Sequence, residues 1–149
     1  MQKHLIVVFG PANTGKTTSI KEFENELGKE LTPLKFDRET IGWMSIDIRV
    51  KYTLKDKDIN IGIFSSGDAC CNVNGTLNKY FSDCMIIVCA ARSCRTHIDN
   101  ILKFADTNKY TVIPLFKMRA TNEDNARIEK EMKIQLKKAF PFSIFNADV

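Results

Sequence analysis

An apolar run, Leu5-Ile6-Val7-Val8-Phe9, leads into Gly10-Pro11-Ala12-Asn13-Thr14-Gly15-Lys16-Thr17-Thr18, and then into Ser19 to Leu27, which has helical periodicity. A buried strand, a glycine loop and a helix in immediate succession narrow the choice of architecture more than any other feature, because strand and helix must pack on each other across a tight turn. The loop fits G-x-x-x-x-G-K-[ST], with Gly10, Gly15, Lys16 and Thr17 at the defining positions. Such a loop points successive backbone N–H groups into one concavity that attracts phosphate oxygens. The first turn of the following helix adds its unpaired N–H groups and the positive end of its dipole. A Cβ at Gly10 or Gly15 would crowd the turn or the approaching phosphate.

The stretch resembles the Walker A motif of the P-loop NTPases. The resemblance covers a small fraction of the chain and identifies no subfamily. It implies that Gly10, Pro11, Ala12, Asn13, Thr14, Gly15, Lys16, Thr17 and Thr18 cradle a nucleoside triphosphate. It places the Lys16 ammonium against the β- and γ-phosphates and offers the Thr17 hydroxyl to Mg²⁺.

Further along, the spacing of apolar residues switches between the helical and the strand period. Ile20, Phe23 and Leu27 form one stripe of a helix from about Lys16 to Leu27, which Gly28 is placed to stop. Leu31 to Thr40, with Pro33 and the charged Asp37-Arg38-Glu39, reads as a crossing loop. Met44, Ile46, Ile48, Val50 and Tyr52 alternate with polar residues; after the polar Lys55-Asp56-Lys57-Asp58, Ile59, Ile61 and Ile63 resume. These runs predict a β-hairpin whose half-polar first strand belongs at a sheet edge. Val73 to Phe81 suits a helix capped by Asn72 or Asn74. Met85 to Ala91 reads as an interior strand, His97 to Ala105 as a helix burying Ile98, Ile101 and Leu102, and Tyr110 to Phe116 as a further strand. A long helix follows from Asn122 to Ala139, with Ile128, Met132, Leu136 and Ala139 on one stripe, and Pro141 ends it.

The expectation is a single domain over residues 1–149 with a three-layer α/β P-loop NTPase fold. Its sheet is mostly parallel and five-stranded, with one antiparallel edge hairpin and helices on both faces. In such folds ligands bind at the carboxyl ends of the strands, so residues 10–18, 65–71 and 91–96 should meet there.

Mg²⁺ needs oxygen ligands, and P-loop proteins commonly set an acid at the end of a hydrophobic strand beside the first one. Ile61 to Phe64 is expected in that place, yet Ser65 follows it and Asp68 comes three positions later. Asp68 is assigned to Mg²⁺, through a water and alongside Thr17, or to the attacking water, with Ser65 and Ser66 assisting. The alternative is that Ser-Ser-Gly-Asp only makes a turn. Asp47 is a second acid candidate and reads better as solvent-facing. Asp37 to Thr40 stands where GTPase-like proteins carry a switch segment, with Thr40 or Thr32 reaching the metal; a solvated loop fits equally well. Arg92 and Arg95 should project over the phosphate site, where a guanidinium suits the charge that builds on a transferring phosphoryl group. Lys16, Asp68, Arg92 and Arg95 thus form the expected catalytic set. Guanine-reading GTPases carry Asn-Lys-x-Asp after the strand corresponding to Tyr110–Phe116. Here Phe116-Lys117-Met118-Arg119 follows instead, which favours ATP over GTP and sets Lys117 or Arg119 beside the base.

The net charge of +4 is accounted for by an anionic nucleotide. It does not argue for a nucleic-acid partner, and the last helix mixes its basic residues with Glu123, Asp124, Glu129 and Glu131 as a solvated face would. No apolar run approaches the roughly 20 residues that span a bilayer. The apolar start ends in the phosphate loop rather than a cleavage site, so a cytoplasmic location is expected. Cys70, Cys71, Cys84, Cys89 and Cys94 are an odd set without C-x-x-C, which makes reduced thiols the default and Cys84 and Cys89 small core residues. The adjacent Cys70-Cys71 pair has no His or further Cys completing a metal-ligand spacing. The expected activity is Mg²⁺-dependent hydrolysis of ATP. A small-molecule or nucleotide kinase is the second reading, and a nucleotide-dependent binding module with negligible turnover the third; a homo-oligomer or a protein partner stays open.

Overall fold

The computed structural model describes residues 2–10, 16–31, 36–40, 48–54, 59–65, 75–117 and 125–141. Strand β1 (Lys3–Gly10) is apolar on both sides and buried from Leu5 onward, the signature of an interior parallel strand. It lies between β5 (Ile86–Arg92) and β6 (Tyr110–Phe116) and is parallel to both. Beyond β5 come β4 (Ile59–Phe64), parallel to it, and β3 (Arg49–Leu54), antiparallel to β4. Strand β2 (Phe36–Thr40) pairs antiparallel with β3 and closes that side, giving a mixed six-stranded sheet in the order β2-β3-β4-β5-β1-β6.

Both faces of the sheet are covered. Ile6 and Val8 of β1, with Val50, Tyr52, Ile61 and Ile63, meet Ile20, Phe23, Leu27 and Leu31 of α1 (Lys16–Leu31) and Met132 and Leu136 of α3 (Asn125–Ala139). The alternate residues Leu5, Val7 and Phe9, with Phe64, Ile87 and Cys89, meet a π-helical turn (Leu77–Phe81) and α2 (Arg95–Asn108) on the opposite face. The period of two along each strand thus divides one sheet between two apolar layers. The chain is an α/β protein with a mixed sheet and helices on both faces.

Four expectations are corrected. The sheet has six strands rather than five, because residues 36–40, read as loop, form β2. The edge strand is therefore β2, and β3, the described part of the Met44–Tyr52 run, is interior. Gly28 does not stop α1, which continues to Leu31; its missing Cβ instead makes room for the Tyr52 hydroxyl, which would lie 3.0 Å from such an atom. Leu102 is 49% exposed, and Phe104 takes its place in the core of α2. Asn72, Asn74 and Met44 to Asp47 lie outside the described residues.

Candidate functional site

Strands β1, β2, β4, β5 and β6 all point their carboxyl ends to one crest, and β3 starts from it. At the crest Gly10 pairs with Arg92, and the Ser93 N–H donates to the Gly10 carbonyl at 3.3 Å. On the other flank Phe9 pairs with Phe116, and the Lys117 N–H donates to the Phe9 carbonyl at 2.7 Å. The start of the glycine loop is therefore held between the ends of β5 and β6. Helix α1 begins at Lys16 with its amino terminus toward that crest. Pro11 to Gly15 and the side chains of Lys16 and Thr17 lie outside what the structure describes; Thr18 is exposed and Ser19 fully buried.

The strand expected beside β1 is not its neighbour. Strand β5 separates β4 from β1, and β4 also stops short. Phe64 pairs with Cys89, which pairs with Val7, so β4 ends level with Val7 rather than with Gly10. Ser65 thus starts about 7–10 Å below the crest, at about 3.3 Å per residue, and two strand spacings of about 4.8 Å to the side. It is buried; its hydroxyl accepts from the Ile48 N–H at 2.9 Å and its own N–H donates to the Ile48 carbonyl at 3.0 Å. This pair of hydrogen bonds joins the end of the connection that carries Asp47 to the beginning of the one that carries Asp68. Asp47, Asp68, Ser66, Cys70 and Cys71 themselves lie outside the described residues, as do Thr32 and Arg119. Asp37 to Thr40 form an exposed edge strand, not a loop.

Arg92 and Arg95 part company. Successive β5 residues alternate between the two layers, and Ile86, Val88 and Ala90 belong to the layer under α1, so Arg92 projects on the α1 side. Its Nε is buried and has no hydrogen-bond partner among the described residues. Arg95, in the first turn of α2, has a side chain 95% exposed and a 3.8 Å contact with Asp99 one turn on. Two other buried nitrogens without a described hydrogen-bond partner lie toward the same end of the sheet: Arg49 Nε at the start of β3, whose guanidinium stands over the Tyr80 ring at 5.5 Å, and His97 Nδ1 in the first turn of α2. Leaving such a group unpaired costs about 1–3 kcal/mol. Among the described residues no group of His, Cys, Asp and Glu could hold a metal ion.

No family model, curated protein or solved structure matches this chain.

Two features escaped the sequence reading. Lys117, expected beside the base, is only 3% exposed and instead donates from Nζ to Ser19 Oγ at 2.7 Å, tying the end of β6 to the first turn of α1. Ser19 and Lys117 are far apart in the chain, and neither carries a local signal of the contact. Glu24, 5% exposed, accepts from Tyr52 Oη at 2.6 Å and from Arg38 Nε at 2.7 Å. Burial, and then the neighbouring carboxylate, push the Tyr52 phenol well above its usual range. A depression of about 270 Å³ beside this cluster is lined by Glu24, Asn25, Gly28, Lys29, Arg38 and Tyr52. It opens roughly 12 Å down α1 from Lys16 at 1.5 Å per residue. Its buried acid accepts from both neighbours, so the cluster fastens α1 to β2 and β3. Cys84 and Cys89 are fully buried, as their apolar surroundings imply, and burial pushes the Cys84 thiol up to about 12. No helix among the described residues is long and apolar enough to cross a membrane.

Proposed function

We propose that the chain is a P-loop nucleoside triphosphatase that binds ATP, with GTP less favoured, and hydrolyses its γ-phosphate with Mg²⁺. The observation that carries the reading is Arg92. The Nε of its guanidinium is buried with no hydrogen-bond partner among the described residues, on the strand residue paired with the first glycine of a Walker A sequence and on the face of the helix that follows the loop. A phosphate oxygen would supply the missing acceptor, and Arg–phosphate contacts are strong and geometrically specific.

In this reading the N–H groups from Gly10 to Thr18 and the Lys16 ammonium hold the β- and γ-phosphates. Water attacks the γ-phosphorus, the bond to the β–γ bridging oxygen breaks, and ADP and inorganic phosphate leave with the water's proton released. Arg92 stabilises the charge on the transferring oxygens. Thr17 and Asp68 would hold Mg²⁺, which supplies further charge neutralisation when bound.

Calorimetry with Mg·ATP and a phosphate-release assay test the proposal. The native chain should bind and turn over, Lys16→Ala should lose binding, and Arg92→Ala should lower kcat about 10²-fold or more while changing affinity far less. Absence of binding by the native chain, or unchanged turnover in Arg92→Ala, would refute it. Phosphate appearing on an added nucleoside or metabolite would select the kinase reading instead.

A further inference from the structure

Phe116 closes β6 at the crest and is 62% exposed, more than Leu102 or Ile134 on the helices. Its ring is not loose. It stacks on Phe9 with centroids 5.5 Å apart and planes inclined by 24°, and Phe9 is itself 3% exposed. The next residue is fastened twice, by its N–H to the Phe9 carbonyl and by its ammonium to Ser19. The strand end is thus fixed, and a large aromatic surface is held open to water. Exposing such a ring forgoes the burial that normally places phenylalanine in a core. Its position is equally specific: Phe9, its register partner, immediately precedes Gly10.

We infer that Phe116 is the stacking platform for the base of the bound nucleotide. The inference rests on the triphosphate reading above. Offset stacking needs only a π-face held at the right height, and the pair with Phe9 already shows the geometry such rings adopt. Tyr110 and Val112, of the same parity as Phe116, belong to the layer under α2. The nucleotide therefore crosses the end of β1, with its phosphates on the α1 side and its base on the α2 side. A stack tolerates any base, since every base has a π-face. Phe116 sets the affinity for the nucleoside part and leaves the choice between adenine and guanine to other groups.

The test compares Mg·ATP with inorganic tripolyphosphate, titrated calorimetrically into the native chain, Phe116→Ala and Phe116→Trp. Phe116→Ala loses the stack on Phe9 and should lower the melting temperature by only a few degrees. It should bind ATP about 5- to 150-fold more weakly and tripolyphosphate as the native chain does. Phe116→Trp should retain ATP affinity, and ATP but not tripolyphosphate should quench the introduced indole. If the native chain binds neither ligand, the triphosphate reading fails first. If it binds both and Phe116→Ala weakens neither, only the platform is overturned. Equal weakening of both ligands, whatever the melting temperature, would make the ring a packing support and overturn it as well.

Discussion

Replacing Gly62 with alanine should destabilise the protein by about 1–2 kcal/mol. A Cβ at this position on β4 would lie 2.2 Å from Cδ1 and 2.8 Å from Cε1 of Phe81. Carbon atoms in contact prefer about 3.5–4.0 Å, so strand and ring would have to separate by more than about 1 Å. Neither is free to do so. Phe81 is fully buried and stacks on Phe64 at 5.0 Å, while Gly62 is in register with Lys51 on one side and Ile87 on the other. Overpacking of this kind costs about 1–3 kcal/mol, and alanine offsets about 0.4–1 kcal/mol of it by restricting the unfolded chain. For a chain of this size the net loss lowers the midpoint temperature by about 2–8 °C. Urea unfolding followed by far-ultraviolet circular dichroism should show a lower midpoint with an unchanged m-value. Adding Phe81→Leu removes the obstructing ring edge, so the double variant should cost less than the sum of the two single ones by about 0.5 kcal/mol or more. A Gly62→Ala protein as stable as the native one, or strict additivity with Phe81→Leu, would refute the packing argument.

Two further outcomes follow from groups described or charged on α1. Tyr52→Phe removes a donor from the buried Glu24 carboxylate and should cost about 1.5–3 kcal/mol, the range for hydrogen bonds to charged groups; an unchanged urea midpoint would show that the hydroxyl bond contributes nothing. Glu26 lies 2.6 Å from Lys137 and 2.9 Å from Lys133 of α3, and Lys137 first, then Lys133, holds its carboxyl down to about 2. Since the folded value lies below the ordinary 4.5, the stability from this pairing is fully present above about pH 4.5 and is lost as pH falls through about 2. The gap in urea midpoint between the native chain and Glu26→Gln should therefore close on acidification, and a gap that ignores pH would contradict it.

The elements that could be read from the sequence are those whose burial follows one local period. Ile20, Phe23 and Leu27 of α1 are buried together, as are Met132 and Leu136 of α3, and β6 has the predicted bounds. Strand β2 was not legible, because Asp37, Arg38 and Glu39 carry no apolar alternation. Its pairing comes from β3, and Arg38 is drawn to Glu24 on a different element. Leu102 matched a helical stripe, but it stands roughly 100° of rotation beyond Ile101, past the rim of the buried sector that His97, Ile101, Phe104 and Ala105 define. At the site, the loop sequence marked where Gly10 would stand. It could not show that β5 lies between β1 and β4, since both strands are continuous apolar runs and strand order is settled by crossovers far apart in sequence. For the same reason the bond between Lys117 and Ser19 had no local trace.

The two borders of the sheet bear on self-association. Along β2 three consecutive ionisable side chains, Asp37, Arg38 and Glu39, stand exposed, and such a rim repels a second strand that tries to dock there. Along β6 an exposed Pro114 has no N–H to give and interrupts any ribbon of bonds that a newcomer would need. Neither rim invites the sheet to run on from one molecule into the next. If copies of this chain assemble, they will meet through helices and loops, and fibre-like stacking of strands is disfavoured at both ends.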